Sequence, residues 1–294
     1  MEGLKSNNYQ NIMIFFTVFL FWISIQFGEV VEDFLAYILV VSIGIIHGAN
    51  DLLILSVKDK KKKSFTKNLF VYIGIIILCV VTFILSPFLA ILFFVFLSAY
   101  HFGEEHLGKK IKMNSVFNSI YFLAYGLFIF SLLFYQSLFD VDKIMIELTG
   151  ASFTKLQVEV TLITSTILLF LGSLYLIVIK KNDLMVFLNE LLYLVLLFLV
   201  FSTSSLILGF AIYFIFWHSI PSIIHQVEFI SGNLNKKNIL FYIKKAMIYW
   251  GISIFGLLFL YQLVPQIELF ATVVFVILFA VTAPHTWVMH KMRN

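Results

Sequence analysis

Polar residues break the chain at intervals that leave ten apolar stretches, approximately 11–28, 34–57, 68–86, 88–108, 115–138, 159–179, 185–203, 204–226, 247–264 and 267–290. A helix crossing the hydrocarbon core of a bilayer needs roughly 20 such residues, so each stretch predicts one span. The third and fourth are parted only by Ser86 and Pro87, and the seventh and eighth only by Ser202–Ser205. The expected architecture is all-α: a polytopic integral membrane helical bundle of about ten transmembrane helices. No internal repeat or long linker divides it, and a single membrane-embedded domain over residues 1–294 is the simplest organisation.

Charge gives the bundle a direction. All but two of the 20 basic residues fall on alternate connections: Lys5, the lysines of Lys58–Lys67, Lys109, Lys110, Lys112, Lys180, Lys181, Lys236, Lys237, Lys244, Lys245, Lys291 and Arg293. The opposite side holds Lys143 and Lys155, with the acidic Glu29, Glu32, Asp33, Asp140, Asp142 and Glu147. Basic residues are retained on the cytoplasmic side, so both termini are expected in the cytoplasm. The formal charge of +4 then reflects topology and not nucleic-acid binding. The apolar run after MEGLKSNNYQ has no small-residue cleavage site, which predicts a first span and not a removed signal peptide.

Composition agrees: 61% of residues are hydrophobic and 12% charged, with a mean hydropathy of +1.01, which excludes a water-soluble fold. Cys79 is the one cysteine, so neither an intrachain disulfide nor a thiolate metal cluster can form. Any metal must use nitrogen or oxygen ligands.

The seven histidines all fall on even-numbered stretches or just beyond them: His47, His101, His106, His218, His225, His285 and His290. Counting from the outer end, His47, His101 and His218 each lie about 13 or 14 residues in, which at 1.5 Å per residue puts them at one depth. His285 lies roughly 6 Å deeper by the same rise, within reach of helix tilt, and is a candidate fourth metal ligand. His225 is two turns from His218, and His106 and His290 fall near Lys109 and Lys291, at the expected membrane surface. Ionisable residues inside spans are costly and usually mark a functional cavity, and neutral imidazole is the commonest metal-binding side chain.

Carboxylates accompany these histidines at helical spacing. Asp51 follows His47 by four residues, and Glu104 and Glu105 follow His101 by three and four. A carboxylate beside a metal-bound imidazole fixes its tautomer and raises its basicity, which makes Asp51 and Glu105 the candidate catalytic carboxylates. For Glu104 and Glu105 a solvated helix end pairing with Lys109 explains the pattern equally well. Gly44, Gly48 and Gly103 beside the histidines permit either access or close helix packing. The chain lacks the HxxxH and HxxHH spacings of membrane di-iron enzymes, the HExxH of zinc proteases and a GxSxG elbow. A mononuclear histidine site remains, and Fe(2+) suits it if dioxygen and an apolar substrate meet there; redox-inert zinc would favour hydrolysis.

Four segments, IIHGANDLL around His47, SAYHFGEEHLG around His101, FWHSIPSIIHQ around His218 and APHTWVMH around His285, resemble the Brp/Blh family of bacterial β-carotene 15,15′-dioxygenases in order and spacing. The resemblance implies iron-dependent addition of dioxygen across the central double bond of β-carotene in a multi-pass bacterial cell membrane protein. The product would be two all-trans-retinal, commonly supplied to a microbial rhodopsin. It also implies that His47, His101 and His218 are iron ligands. The family pattern has a further histidine four residues after the one matching His218; Ser222 stands there, leaving His285, His225 or His106 as the fourth ligand. From the residues alone, a haem-binding electron carrier and a transporter with a histidine and carboxylate proton relay are the alternative classes.

Overall fold

The computed structural model describes residues 2–59, 62–111, 115–178, 184–263 and 267–293. Lys60, Lys61, Lys112, Lys180 and Lys181, counted above among the basic connections, lie outside them. Among the described residues there is no strand, and nine helical segments are long and apolar enough to cross a bilayer. The protein is an all-α polytopic membrane bundle. The tenth expected span is also a helix, Ile267–Arg293, whose 27 residues extend about 40 Å at 1.5 Å per residue.

In order, the helices are α1 (Glu2–Gln26), α2 (Glu29–Leu39), α3 (Ile45–Gly48), α4 (Asp51–Lys58), α5 (Lys62–Leu85), α6 (Pro87–Leu107), α7 (Ser115–Gln136), α8 (Leu138–Thr149), α9 (Lys155–Val178), α10 (Leu184–Thr203), α11 (Leu206–Ile212), α12 (Ile220–Ser231), α13 (Lys236–Leu263) and α14 (Ile267–Arg293). Two π-helical stretches, Val40–Gly44 and Tyr213–Ser219, join α2 to α3 and α11 to α12. The connection 227–246 between the eighth and ninth apolar stretches is mostly helical, broken by Gly232 at φ 80°, and the connection 139–158 begins with the separate helix α8. Leu, Ile, Val and Phe side chains of α1, α5, α9, α10 and α13 are widely exposed, as expected of surfaces that face lipid.

The closest packing is between α6 and α7. A Cβ added at Gly103 would sit 1.9 Å from the Phe122 carbonyl oxygen, and one at Gly126 would sit 1.9 Å from that of Ala99. Small residues therefore let the two backbones touch, the device that replaces hydrophobic driving force between helices in lipid. Gly44 plays a similar part where the two π-helical stretches meet: its Cβ would lie 2.9 Å from the Phe214 ring.

Wide turns leave backbone carbonyls poorly served, and in hydrocarbon each must find a donor within the protein. Tyr9 Oη donates to Phe216 O at 2.6 Å and Trp250 Nε1 to Val41 O at 2.8 Å, one donor for each π-helical stretch. The indole of Trp217 donates to Thr17 Oγ1 at 3.0 Å. These bonds tie α1 and α13 to the centre of the bundle.

At one end of the bundle Asp59 joins three elements. Burial works to raise its carboxyl pKa, but hydrogen bonds from Asn68, Ser64 and Lys291 outweigh that and hold it below the ordinary carboxylate range. Its stabilising contribution is therefore complete above the unfolded pKa of about 3.9 and is lost as pH falls through the lower folded value. Thermal unfolding in detergent is expected to show a larger fall in midpoint between pH 6 and pH 3 for the wild type than for Asp59→Asn. Gly126→Ala should lower stability by about 1–3 kcal/mol through overpacking of α6 against α7, read from the same melting curves at neutral pH; an unchanged midpoint would refute that contact.

Candidate metal centre

Four buried imidazoles converge from four separate parts of the chain. His47 comes from α3, His101 from α6, His218 from the second π-helical stretch and His285 from α14, and each is at most 4% exposed. Ring centroids lie 4.5 Å apart for His47 and His285, 4.7 Å for His101 and His218, 4.9 Å for His47 and His218, and 5.2 Å for His101 and His285. One ring nitrogen from each of His47, His101 and His285 lies within 4.8 Å of the others. Phe102 and Phe214 pack on His218, and Phe214 meets His47 edge-on, so the surround is aromatic and apolar.

Local structure explains the convergence. The expected continuous helix over 34–57 is broken twice, by the π-helical stretch before His47 and by the turn at Ala49 and Asn50 after it. His47 and Asp51 thus belong to different helices, and their side chains do not stack as four-residue spacing on one helix requires. Asp51 faces α14 instead: His285 Nδ1 donates to its Oδ1 at 2.7 Å, and Tyr72 Oη donates to Oδ2 at 3.2 Å. With Nδ1 carrying the proton, His285 offers the lone pair of Nε2, which lies 2.9 Å from His47 Nε2. His285 reaches the other rings despite the depth offset of roughly 6 Å expected from its count along the span.

His47 is steadied through its backbone. Gln226 Nε2 donates to the His47 carbonyl at 3.1 Å and to Ser222 Oγ at 3.3 Å, while Tyr242 Oη donates to Gln226 Oε1 at 2.8 Å. Asn50 completes the circuit, its Nδ2 donating to Tyr242 O at 3.1 Å. Ser222 is fully buried in this network. Sequence reading singled out none of Gln226, Tyr242 and Asn50; buried amides amid apolar runs were the available signal.

The remaining histidines sit elsewhere. His225 Nδ1 donates to Glu105 Oε1 at 2.6 Å, and Glu105 Oε2 accepts from Arg293. His290 Nδ1 donates to Glu104 Oε1 at 2.9 Å, and the Arg293 guanidinium lies 3.1 Å from Glu104 Oε2. The solvated helix end imagined for these acids is corrected: the two side chains are 7% and 0% exposed, and Lys109 lies 3.7 Å from Glu228 instead. They point toward α12 and α14 because both helices close over the end of α6. His106 was expected at the surface; its side chain is only 7% exposed, with Nε2 donating to Glu190 Oε2 at 2.6 Å and its ring stacked on Tyr125. Glu190 escaped notice although it is a lone acid within the run 185–203.

The donor set fits a metal ion. His47 Nδ1, both nitrogens of His101, and His218 Nδ1 are buried without a hydrogen-bond partner in the protein, an arrangement costly for imidazoles left to themselves. Four neutral nitrogens without a carboxylate in the cluster suit a borderline divalent transition metal. Comparison with known families matches residues 38–293 to beta-carotene 15,15′-dioxygenase. The chain belongs to the β-carotene 15,15′-dioxygenase family. The match spans all four histidines of the cluster. No curated protein and no solved structure matches the chain. Membership in the β-carotene 15,15′-dioxygenase family gives the chain its reaction class, carotenoid dioxygenation.

Removing the carboxylate that orients His285 should loosen any bound metal without unfolding the bundle. Asp51→Asn is expected to weaken metal retention by roughly 10- to 100-fold, measured by metal analysis after dialysis against graded chelator. Retention equal to wild type would show that the Asp51–His285 bond does not serve the metal.

Proposed function

We propose that this protein is a nonhaem iron dioxygenase of the bacterial cell membrane, with both termini cytoplasmic, that cleaves the central 15,15′ double bond of β-carotene into two molecules of all-trans-retinal. The observation that carries the reading is the convergence of His47, His101, His218 and His285 in an apolar, lipid-level site. These four residues would hold Fe(2+). With Ser222 committed to Gln226, His285 serves as the fourth ligand in place of a histidine at position 222. Bound iron would supply the redox chemistry with dioxygen that zinc lacks.

The remaining residues orient and exclude. Asp51 holds the proton of His285 on Nδ1, so that Nε2 faces the cluster. Phe102 and Phe214 keep water from the imidazoles and present flat apolar surfaces to a polyene. Glu105 acts at a distance: both its oxygens are taken by His225 and Arg293, and it fixes the end of α6 that carries His101. Cleavage of a carbon–carbon double bond by one dioxygen to two carbonyls needs no net proton, consistent with a site whose acids are all engaged. The retinal released would be available to a microbial rhodopsin.

Expression in β-carotene-producing cells is expected to bleach them and to yield retinal, identified by chromatography against a standard. Unchanged carotenoid, with membrane insertion and iron supply verified, would overturn the assignment. His285→Ala should reduce bound iron by about 100-fold or more, at or beyond the top of the range for outer partners, and abolish cleavage. His225→Ala and His106→Ala should retain iron; if either loses it while His285→Ala does not, the fourth ligand is misassigned.

A further inference from the structure

Outside the histidine cluster, Glu190 is the polar group least expected at its position. It sits within α10, 14% exposed in its side chain, in a run otherwise composed almost wholly of Leu, Val and Phe. Intramembrane carboxylates are expensive and mark function by default. Here the charge is balanced: Lys110 Nζ donates to Glu190 Oε1 at 2.6 Å while His106 donates to Oε2. The trio is a compact, nearly neutral polar spot of three side chains.

That spot closes one end of an apolar cleft. The cleft lies between the end of α6 and helices α7, α9 and α10, with a volume of about 600 Å³, in the range of pockets that enclose drug-sized ligands. Lys110, Glu190, Tyr121 and Ser173 are among its few polar lining residues, and Leu132, Leu169, Phe187, Leu194 and Val195 are typical of its walls. Tyr121 and Ser173 hydrogen-bond to each other at 2.7 Å. Lys110 is only partly engaged: an ammonium has three N–H donors, of which Glu190 takes one, and His106 Nε2 lies 3.2 Å away.

Ring contacts lead from the cleft toward the helix segment that carries His218. Tyr125 lines the cleft and stacks on His106, and His106 in turn lies against Trp217, the residue before His218. A ligand suited to this cleft has a long apolar body and one neutral hydrogen-bond acceptor at its end. A carboxylate or phosphate would confront Glu190, whose charge already balances that of Lys110, the cation among the described lining residues. A pure hydrocarbon such as an uncleaved carotene would leave the polar end unanswered.

We infer that this cleft is a holding site for the polyene aldehyde released by carotenoid cleavage, its carbonyl oxygen accepting a hydrogen bond from Lys110 and its chain lying between α7, α9 and α10. The inference rests on the function proposed above. Binding is non-covalent, and it explains why a balanced ion pair is kept at a site the cleavage reaction does not use.

The test supplies retinal directly to the purified full-length protein in detergent, so it does not depend on cleavage. Tryptophan quenching should reveal saturable binding of all-trans-retinal, with retinoate and β-carotene bound more weakly at the same site. Leu194→Trp, which fills the cleft, and Lys110→Met, which removes the donor, should each weaken retinal binding about tenfold, equivalent to 1.4 kcal/mol. Equal binding by wild type and Leu194→Trp would overturn the site, as would a tightly co-purified phospholipid that retinal fails to displace. Retinal binding lost in Leu194→Trp but without β-carotene cleavage by the wild type would remove the proposed function while retaining an aldehyde site. Cleavage with no saturable retinal binding would do the reverse.

Discussion

Everything in this bundle answers to one constraint: inside hydrocarbon a polar atom has no water to turn to, and must find its partner in the protein. The helices meet it for most of the backbone. Where the chain departs from regular helix, at the two π-helical stretches and at the Ala49–Asn50 turn, side chains from distant helices supply the missing donors: Tyr9, Trp250 and Gln226. These departures are also where His47 and His218 are carried. Irregular backbone and functional side chain thus occur together, as is common for π-bulges, and the donors that satisfy the former fix the position of the latter.

The same constraint sorts the acids. Asp51, Glu104, Glu105 and Glu190 are all buried or nearly so, and each is answered by histidine, lysine, arginine or tyrosine. Only Asp51 touches the histidine cluster. Glu104 and Glu105 bind the ends of α12 and α14 to α6, through His225, His290 and Arg293, so the ion pairs act as fasteners between helices. Breaking such a pair on one side would strand a buried charge, which costs far more than the pair itself contributes.

Much of this was legible in the sequence because lipid imposes length and charge rules that a linear reading can apply. The apolar runs located the helices, and counting residues along the even-numbered spans set His47, His101 and His218 at one level, where the three rings do lie together. Asp51 was found but given the wrong neighbour, since four-residue spacing assumes an unbroken helix, whereas Gly48, Asn50 and Asp51 are residues that favour a turn and a new helix start. For Glu104 and Glu105 the sequence left two readings open, because whether a helix end is solvated depends on what packs over it, and α14 is far away in sequence. Gln226 and Tyr242 contribute through a backbone carbonyl, which no pattern of side chains reveals.

The hydrogen bonds of His285 have a bearing on biogenesis. His285 follows His47 by 238 residues and Asp51 by 234, yet these are the residues it must meet. A chain entering the membrane from its N-terminus therefore inserts helix after helix with the centre still incomplete. His47, His101 and His218 wait as an unfinished set until α14 arrives, and with it Arg293 to cover the acids of α6. Assembly of the cluster is in this way tied to completion of nearly the whole polypeptide, and a ribosome halted before α14 leaves a membrane protein of many spans in which the four histidines have not met.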